Sequence, residues 1–345
     1  MVVVAVIAGG LWALGIAFAV PHRSRWIMIG VLLLGVILLQ LVLPALHPVR
    51  LALGGSAAPW VLVIAIGSVV WLYRRGLRKL RKQVEEMRED VQGDAPLFSQ
   101  TELNRYARHI VMREMGGPGQ KALKEAKVLV VGAGGLGAPV LQYLAAAGVG
   151  TIGVVDDDVV DNANLQRQVI HRDSDIGMPK VFSAKAAMEA QNPFVTVRPY
   201  ERRLTDEIAA DLIAEYDLVL DGCDNFETRY LVNRTCVSLK KPLVSGALTQ
   251  WEGQLSVFDP ANDAPCYQCI FPQAPAPELA PSCAEAGVIG PLPGVVGSMM
   301  AVEAIKVTTG AGAPLRGEMV IYDALYGESR KIMLERRADC PICGG

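Results

Sequence analysis

Lys127-Val-Leu-Val-Val131 runs directly into Gly132-Ala-Gly-Gly-Leu-Gly137, and a helical stretch, Ala138 to Val149, follows at once. A short β-branched run, a glycine turn and a helix in that order open a βαβ unit. Gly132 allows the tight turn, Gly134 lets backbone approach a phosphate, and Gly137 lets the helix pack on the strand. Backbone N–H groups at the helix start then face an anion. Asp156 ends the next strand, 19 residues beyond Gly137, where a carboxylate can accept hydrogen bonds from ribose hydroxyls. Alone, this pattern says only that a nucleotide binds. A nicotinamide or flavin dinucleotide is its ordinary occupant, and a purely structural glycine turn is the alternative.

Outward from this unit, strands and helices alternate. GTIGVVD (150–156), a helix over 183–191, TVRPYER (196–202), a helix opened by Thr205, Asp217–Asp221, a helix over 225–239 and Pro242-Leu-Val-Ser follow in turn. That rhythm predicts an α/β fold with a doubly wound, Rossmann-like, mostly parallel sheet. LVLD and VLVV lack period-two alternation because both faces of such a sheet are covered. Residues 253–259, 317–324 and 328–335 read as antiparallel strands around a helix at 294–310. Residues 266–290 are dense in Pro and Ala without periodicity, as in a functional loop.

Charges after the second strand argue against a dinucleotide. Asn164-Leu-Gln-Arg-Gln168 and Gly177-Met-Pro-Lys180 put Arg167 and Lys180 near the expected phosphates. Two cations there suit a triphosphate whose phosphoryl bond breaks, and hydride transfer needs no such pair. Asp221 and Asp224-Asn225 fall at the carboxyl end of another strand, where open α/β sheets bind ligands. Asp224 can hold Mg²⁺ together with phosphates. A helix N-cap is the plainer role for Asp224-Asn225.

The amino-terminal part is of another kind. Residues 1–73 hold no Asp, Glu or Lys, and three apolar runs, 2–20, 27–46 and 51–73, are each long enough to predict a transmembrane helix. A cleaved signal peptide is the alternative for the first. Arg74, Arg75, Arg78, Lys79, Arg81 and Lys82 follow the third run, so positive-inside bias places everything after residue 73 in the cytoplasm. The expected organisation is a multi-pass inner-membrane anchor over 1–73, a basic juxtamembrane helix and linker over 74–98, and a cytoplasmic catalytic domain over 99–345. Ser99-Gln-Thr-Glu102 is a capping box that starts that domain. The first 82 residues carry nine of the 33 Lys and Arg and none of the 35 acids. The remainder is therefore strongly acidic, which excludes non-specific nucleic-acid binding. Composition excludes disordered and disulfide-scaffold classes.

Seven cysteines include Cys266-x-x-Cys269 and Cys340-x-x-Cys343. Two such knuckles supply four thiolates, a closed tetrahedral set typical of structural Zn²⁺. A redox C-x-x-C is the other reading. Cys283 stands apart in the long loop, and Cys223 and Cys236 read as core.

These motifs together resemble the MoeB/ThiF/HesA family, the prokaryotic relatives of ubiquitin-activating enzymes. The resemblance rests on Gly132–Gly137, Asp156-x-Asp158, Asn164–Gln168, Gly177-x-Pro-Lys180, Asp221-x-x-Asp224-Asn225 and the two cysteine pairs, and runs from about Ser99 to Gly345. Arg105-Tyr-x-Arg108, Gly148-Val-Gly150 and Cys283–Val288 bring it nearest the molybdopterin-synthase adenylyltransferase branch. The resemblance implies an enzyme that uses ATP and Mg²⁺ to adenylate the C-terminal glycine of a ubiquitin-like sulfur carrier ending in Gly-Gly, within molybdenum cofactor biosynthesis. It implies that Asp156 holds ribose, that Asn164, Arg167 and Lys180 hold the phosphates, and that Asp224 holds the metal. Gly132, Gly134, Gly135, Gly137, Asp158, Gln166 and Asn225 complete the implied nucleotide site. Arg108 would reach the ATP of a partner subunit, so a homodimer is implied. Cys283 is the position of a possible sulfur-transfer cysteine, and a separate sulfur donor is expected because no sulfurtransferase module follows residue 345. Gly344-Gly345 reads as an end and not as a substrate tail. Activation of the thiamine-pathway carrier is the alternative within the class. Outside it stand a nicotinamide oxidoreductase, which leaves Arg167, Lys180 and the thiolates without a task, and a silent membrane-tethered binding protein.

Overall fold

The computed structural model describes residues 2–18, 20–44, 46–56, 58–62, 65, 68–69, 72–77, 96–275 and 286–344. The chain divides into two compact units, residues 1–95 and 96–345. Cys283 and the basic stretch from Arg78 onward, with most of the juxtamembrane helix expected there, lie outside the described residues.

The first unit contains α1 (Val2–Ala17), α2 (His22–Val42) and α3 (Pro48–Ala52). The 21 residues of α2 span about 31 Å, matching a hydrocarbon core. The 16 of α1 reach only about 24 Å. Among the described residues, Ser24–Val42 is the single helix long and apolar enough to cross a membrane, where three were expected. The run at 27–46 stops at Val42 because Pro44 pushes Leu43 into extended backbone, φ −79° and ψ 143°. The run at 51–73 is interrupted after Ala52, where Gly54 and Gly55 take φ of 112° and 75°. Carbonyls freed at such breaks need donors in apolar surroundings. Arg50 Nη1 donates to the Leu43 carbonyl (2.7 Å), and Gln40 Nε2 and Trp60 Nε1 both donate to that of Leu53 (2.9 and 3.0 Å).

The second unit opens with α4 (Gln100–Arg105), α5 (Ala107–Ile110) and α6 (Gly116–Glu125). Ser99 and Glu102 form the expected capping box, and Glu102 also pairs with Lys124 on α6. Then come β1 (Lys127–Val131), α7 (Gly137–Ala147), β2 (Thr151–Asp156), α8 (Lys180–Gln191), β3 (Thr196–Glu201), α9 (Asp206–Ala214), β4 (Leu218–Asp221), α10 (Phe226–Ser238), β5 (Leu243–Leu248) and β6 (Glu252–Phe258). The short α11 (Tyr267–Ile270), the long α12 (Pro291–Thr309), β7 (Glu318–Asp323) and β8 (Glu328–Met333) complete it. The eight strands form one sheet in the order β3-β2-β1-β4-β5-β6-β7-β8. The first five are parallel, and β6, β7 and β8 pair antiparallel.

Side chains of β1 alternate between two cores. Val128 and Val130 join α7 and α12 on one face, while Leu129 and Val131 join α9 and α10 on the other. Hence every apolar residue of β1 is buried. Strand β8 is exposed along its whole length and carries Glu328, Arg330 and Lys331, charges that blunt a free sheet edge. Two helices begin three residues before the expected points, α8 at Lys180 behind Pro179 and α12 at Pro291, since proline pre-sets helical φ at a start. Strand order reverses at β1, between β2 on one side and β4 on the other, and that reversal opens a crevice at their carboxyl ends.

Candidate active site

The turn after β1 is built for close approach. Gly132 has φ 97°, and its N–H donates to the Val155 carbonyl at 2.8 Å. A Cβ on Gly137 would lie 1.9 Å from the Gly132 carbonyl oxygen, so that position admits glycine alone. Beside it, Gly222 N–H after β4 donates to the Val131 carbonyl at 2.9 Å. Two turns therefore cross at the switch point and form the floor of a cavity of about 1280 Å³.

Asp156, at the end of β2, is half-buried. It accepts from the Ala133 N–H (2.7 Å) and the Asp158 N–H (2.9 Å). Burial pushes its carboxyl above the ordinary value, against the opposing pull of the Lys180 ammonium and those amides. Lys180 opens α8 with its side chain buried, and its Nζ donates to Asp158 Oδ2 at 2.6 Å. Arg167 Nη2 donates to Asn164 Oδ1 at 2.5 Å and Nη1 to the Ala163 carbonyl at 3.2 Å. Asn225 caps α10, accepting from the Thr228 N–H at 2.9 Å, while the neighbouring Asp224 carboxylate stands exposed in the wall. The plainer reading of that dipeptide thus holds for Asn225 and leaves Asp224 for a ligand. Gln168 is buried against Gly134, and its Oε1 has no partner among the described residues.

The cavity wall gathers Gly132, Gly134, Gly135, Asp156, Asp158, Arg167, Lys180, Asp224 and Asn225. Gly137, Asn164 and Gln166 are not in that wall. Gly137 serves the packing of the turn, and Asn164 acts on the wall only by holding Arg167. Arg108 is exposed on α5 and also lies outside the wall.

Arg229 is a wall residue that the motifs did not flag. It is buried in the first turn of α10, with Nε 3.3 Å from Asp221 Oδ2 and Nη2 donating to the Cys223 and Gly246 carbonyls at 2.8 and 3.0 Å. Its guanidinium also covers the Tyr267 ring at 5.6 Å. A cation in a first turn opposes the helix dipole, and that local conflict is the signal the sequence offered.

The four cysteines meet as one buried cluster. Sγ separations of 3.8 Å (Cys266–Cys269), 3.6 Å (Cys266–Cys340) and 3.3 Å (Cys269–Cys343) are far beyond a disulfide and near the ~3.8 Å edge of a tetrahedral zinc–thiolate site. Burial pushes the Cys266 and Cys269 thiols up, whereas at Cys340 the Cys343 and Ile342 amides and the neighbouring thiols outweigh burial and lower the pKa. Four sulfurs at tetrahedral spacing thus share a site in which a dication would hold them as thiolates. The donor set therefore fits Zn²⁺. Cys223 and Cys236 are not in the cluster. Cys236 is core, as expected, whereas Cys223 is half-exposed and lines the cavity.

A glycine-turn crevice whose wall holds Arg167, Lys180 and the exposed Asp224 carboxylate, with an appended thiolate knuckle, defines a class of nucleotide-using α/β proteins, and the ThiF family model matches residues 106–342. The chain belongs to the ThiF family. It is 51% identical over 251 residues to the sulfur carrier protein adenylyltransferase of Thermus thermophilus, covering 72% of this chain and 93% of that one. It is 49% identical to the SAMP-activating enzyme E1 of Haloferax volcanii, covering 71% and 90%. The probable adenylyltransferase/sulfurtransferase MoeZ of Mycobacterium tuberculosis is 50% identical, and there the match covers 72% of this chain and 64% of the relative. Among solved structures, Escherichia coli MccB with ATP superposes with a TM-score of 0.58 at 23% identity, over 66% of this chain and 70% of MccB, which shows a shared fold.

Proposed function

We propose that this chain is an adenylyltransferase that activates the C-terminal glycine carboxylate of a ubiquitin-like sulfur carrier with ATP, in molybdenum cofactor biosynthesis. The observation that carries the reading is the single wall joining the glycine turn, Arg167, Lys180 and Asp224. It is the chemistry a triphosphate requires, in a chain half identical to a sulfur carrier protein adenylyltransferase along nearly that relative's whole length. In the step proposed, a carboxylate oxygen attacks the α-phosphorus, a new P–O bond forms, and the bond to the β-phosphate oxygen breaks to release pyrophosphate. The nucleophile is already ionised, so no general base is required. The obstacle is bringing one anion to another, and positioning and charge neutralisation supply the catalysis.

Asp156 accepts the ribose hydroxyls, and the loop amides with Arg167 and Lys180 face the phosphates. Lys180 now holds Asp158 and exchanges that partner for phosphate oxygen. Asp224 holds Mg²⁺ with the phosphates, since one carboxylate plus phosphate oxygens suits that ion. Zinc in the four-thiolate cluster is structural. Arg108, exposed and away from the cavity of its own chain, completes the site of a second protomer in a homodimer. The first unit anchors the enzyme in the inner membrane, with residues 99–345 in the cytoplasm, and a separate donor delivers sulfur, with Cys283 the possible transfer thiol. A thiamine-pathway carrier is the alternative substrate.

ATP–pyrophosphate exchange tests the reading, with molybdopterin-type and thiamine-type carriers supplied separately. Exchange is expected with the first. Lys180→Ala and Asp224→Ala each abolish exchange while the melting temperature holds. Exchange at near-normal rate in either variant removes that residue from its role, and a wild-type chain that binds a nicotinamide dinucleotide in preference to ATP removes the reading itself.

A further inference from the structure

Three features outside the proposed chemistry stand out: the half-exposed Cys223, the buried Gln40 Oε1 in the first unit, without a partner among the described residues, and a buried histidine behind the glycine turn. The histidine is the one with a built environment. His171 lies between β2 and α8 with its ring buried, 6% exposed. Its Nε2 is 3.0 Å from the Ala133 carbonyl oxygen, and its Nδ1 is 2.9 Å from Ser183 Oγ on α8. Ser183 Oγ also lies 2.7 Å from Asp175 Oδ2, so its one hydrogen is shared between these two acceptors.

A carbonyl has no hydrogen to give, so the ring must carry its proton on Nε2 to make this contact. Ala133 is then pinned on both sides. Its N–H goes to Asp156 at 2.7 Å and its C=O to His171. The peptide joining Ala133 to Gly134 is planar and trans, so the Gly134 N–H points opposite to that carbonyl. Gly134 lines the cavity and His171 does not. Holding the carbonyl inward therefore aims the Gly134 N–H outward. The restraint matters because glycine tolerates either sign of φ, so an X–Gly peptide is free to flip.

We infer that His171 is a positioning residue that fixes the Ala133–Gly134 peptide so that the Gly134 amide donates to the bound nucleotide's phosphate. It touches no substrate. It acts through one carbonyl, and the Ser183 hydroxyl at Nδ1 sets the ring's orientation. The inference rests on the nucleotide site proposed above.

Two variants of the full chain separate a donor from a filler. His171→Gln keeps an amide N–H where Nε2 stood, and His171→Phe fills the space without one. ATP affinity, read by equilibrium binding, is expected to fall about tenfold in His171→Phe, the effect of one lost hydrogen bond. His171→Gln should stay within about threefold of wild type, with all three proteins melting alike. A second readout needs no nucleotide. In protein labelled with ¹³C-carbonyl alanine and ¹⁵N-glycine, only Ala–Gly peptides report, and the Gly134 amide resonance should move in His171→Phe and hold in His171→Gln. If the wild type binds ATP and both variants match it, with the resonance unmoved, the inference is overturned. If the wild type binds no ATP but the resonance shifts as described, the peptide-holding role stands and the adenylation reading fails.

Discussion

Two backbone amides, of Ala133 and Asp158, converge on the oxygens of Asp156, a carboxylate whose titration is set first by its burial. Burial raises its carboxyl pKa, and the Lys180 ammonium and the amides recover only part of the shift. A group raised in the folded state contributes stability at low pH and loses it as pH rises through its folded value. Ribose binding runs the other way, because it needs the unprotonated acceptor. Affinity for ATP should therefore decline on acidification at a pH above the ordinary aspartate value. The KM for ATP, measured from pH 7.5 downward, should climb before it does for an ordinary exposed carboxylate. Asp156→Asn should raise KM about tenfold at neutral pH and abolish that acid limb. An acid limb unchanged in Asp156→Asn assigns it to another group. Most of this site was legible from residues, because glycine spacing and a strand-end carboxylate are local patterns. Arg229 and His171 were not, since each matters through partners distant in the chain, Gly246 and Tyr267 for one and Ala133 for the other.

At the scale of elements, the short helix α11 links two features read separately in the sequence. Cys266 and Cys269 flank and belong to it, while Ile270 and Phe271 line the cavity. Asn233 of α10 accepts the Tyr267 N–H at 2.9 Å, and Tyr230 donates to the Phe271 carbonyl at 2.9 Å. The cluster thus clamps the chain's last residues to a wall of the nucleotide crevice. Purified protein should carry one zinc per chain, and a strong chelator should lower the melting temperature by roughly 5–10 °C, the size expected for ~3 kcal/mol in a domain of this length. Cys340→Ser should mimic the chelator and show no further response to it. Active protein without zinc, or four thiols found as two disulfides, refutes the assignment. Strands were read from sequence almost to the residue because β-branched runs end abruptly at glycine and aspartate. Helix ends within the apolar runs were not legible for a physical reason: hydropathy counts side chains, whereas helices end where backbone dictates, at Pro44 and at the positive φ of Gly54 and Gly55.

For the whole molecule, the alternation of elements predicted a parallel sheet with antiparallel strands at its end, but strand order is a matter of long-range pairing that no local pattern encodes. That order places β1 centrally, flanked by β2 and β4, and so creates the crevice. Residues 96–345 carry this sheet with both of its cores and are compact without the preceding unit. Chemistry and anchorage should therefore be separable. A chain beginning at Pro96 should express in soluble form, melt as one cooperative transition and retain ATP–pyrophosphate exchange within about twofold, since every wall residue of the cavity lies within it. The full chain should float with lipid vesicles and stay with them in high salt. Salt screens a basic collar beyond a Debye length but does not weaken burial of an apolar span such as Ser24–Val42 in hydrocarbon. Release by salt alone would reduce the first unit to an electrostatic tether. Loss of exchange on truncation would mean that the amino-terminal residues are required for the chemistry as well as for anchorage.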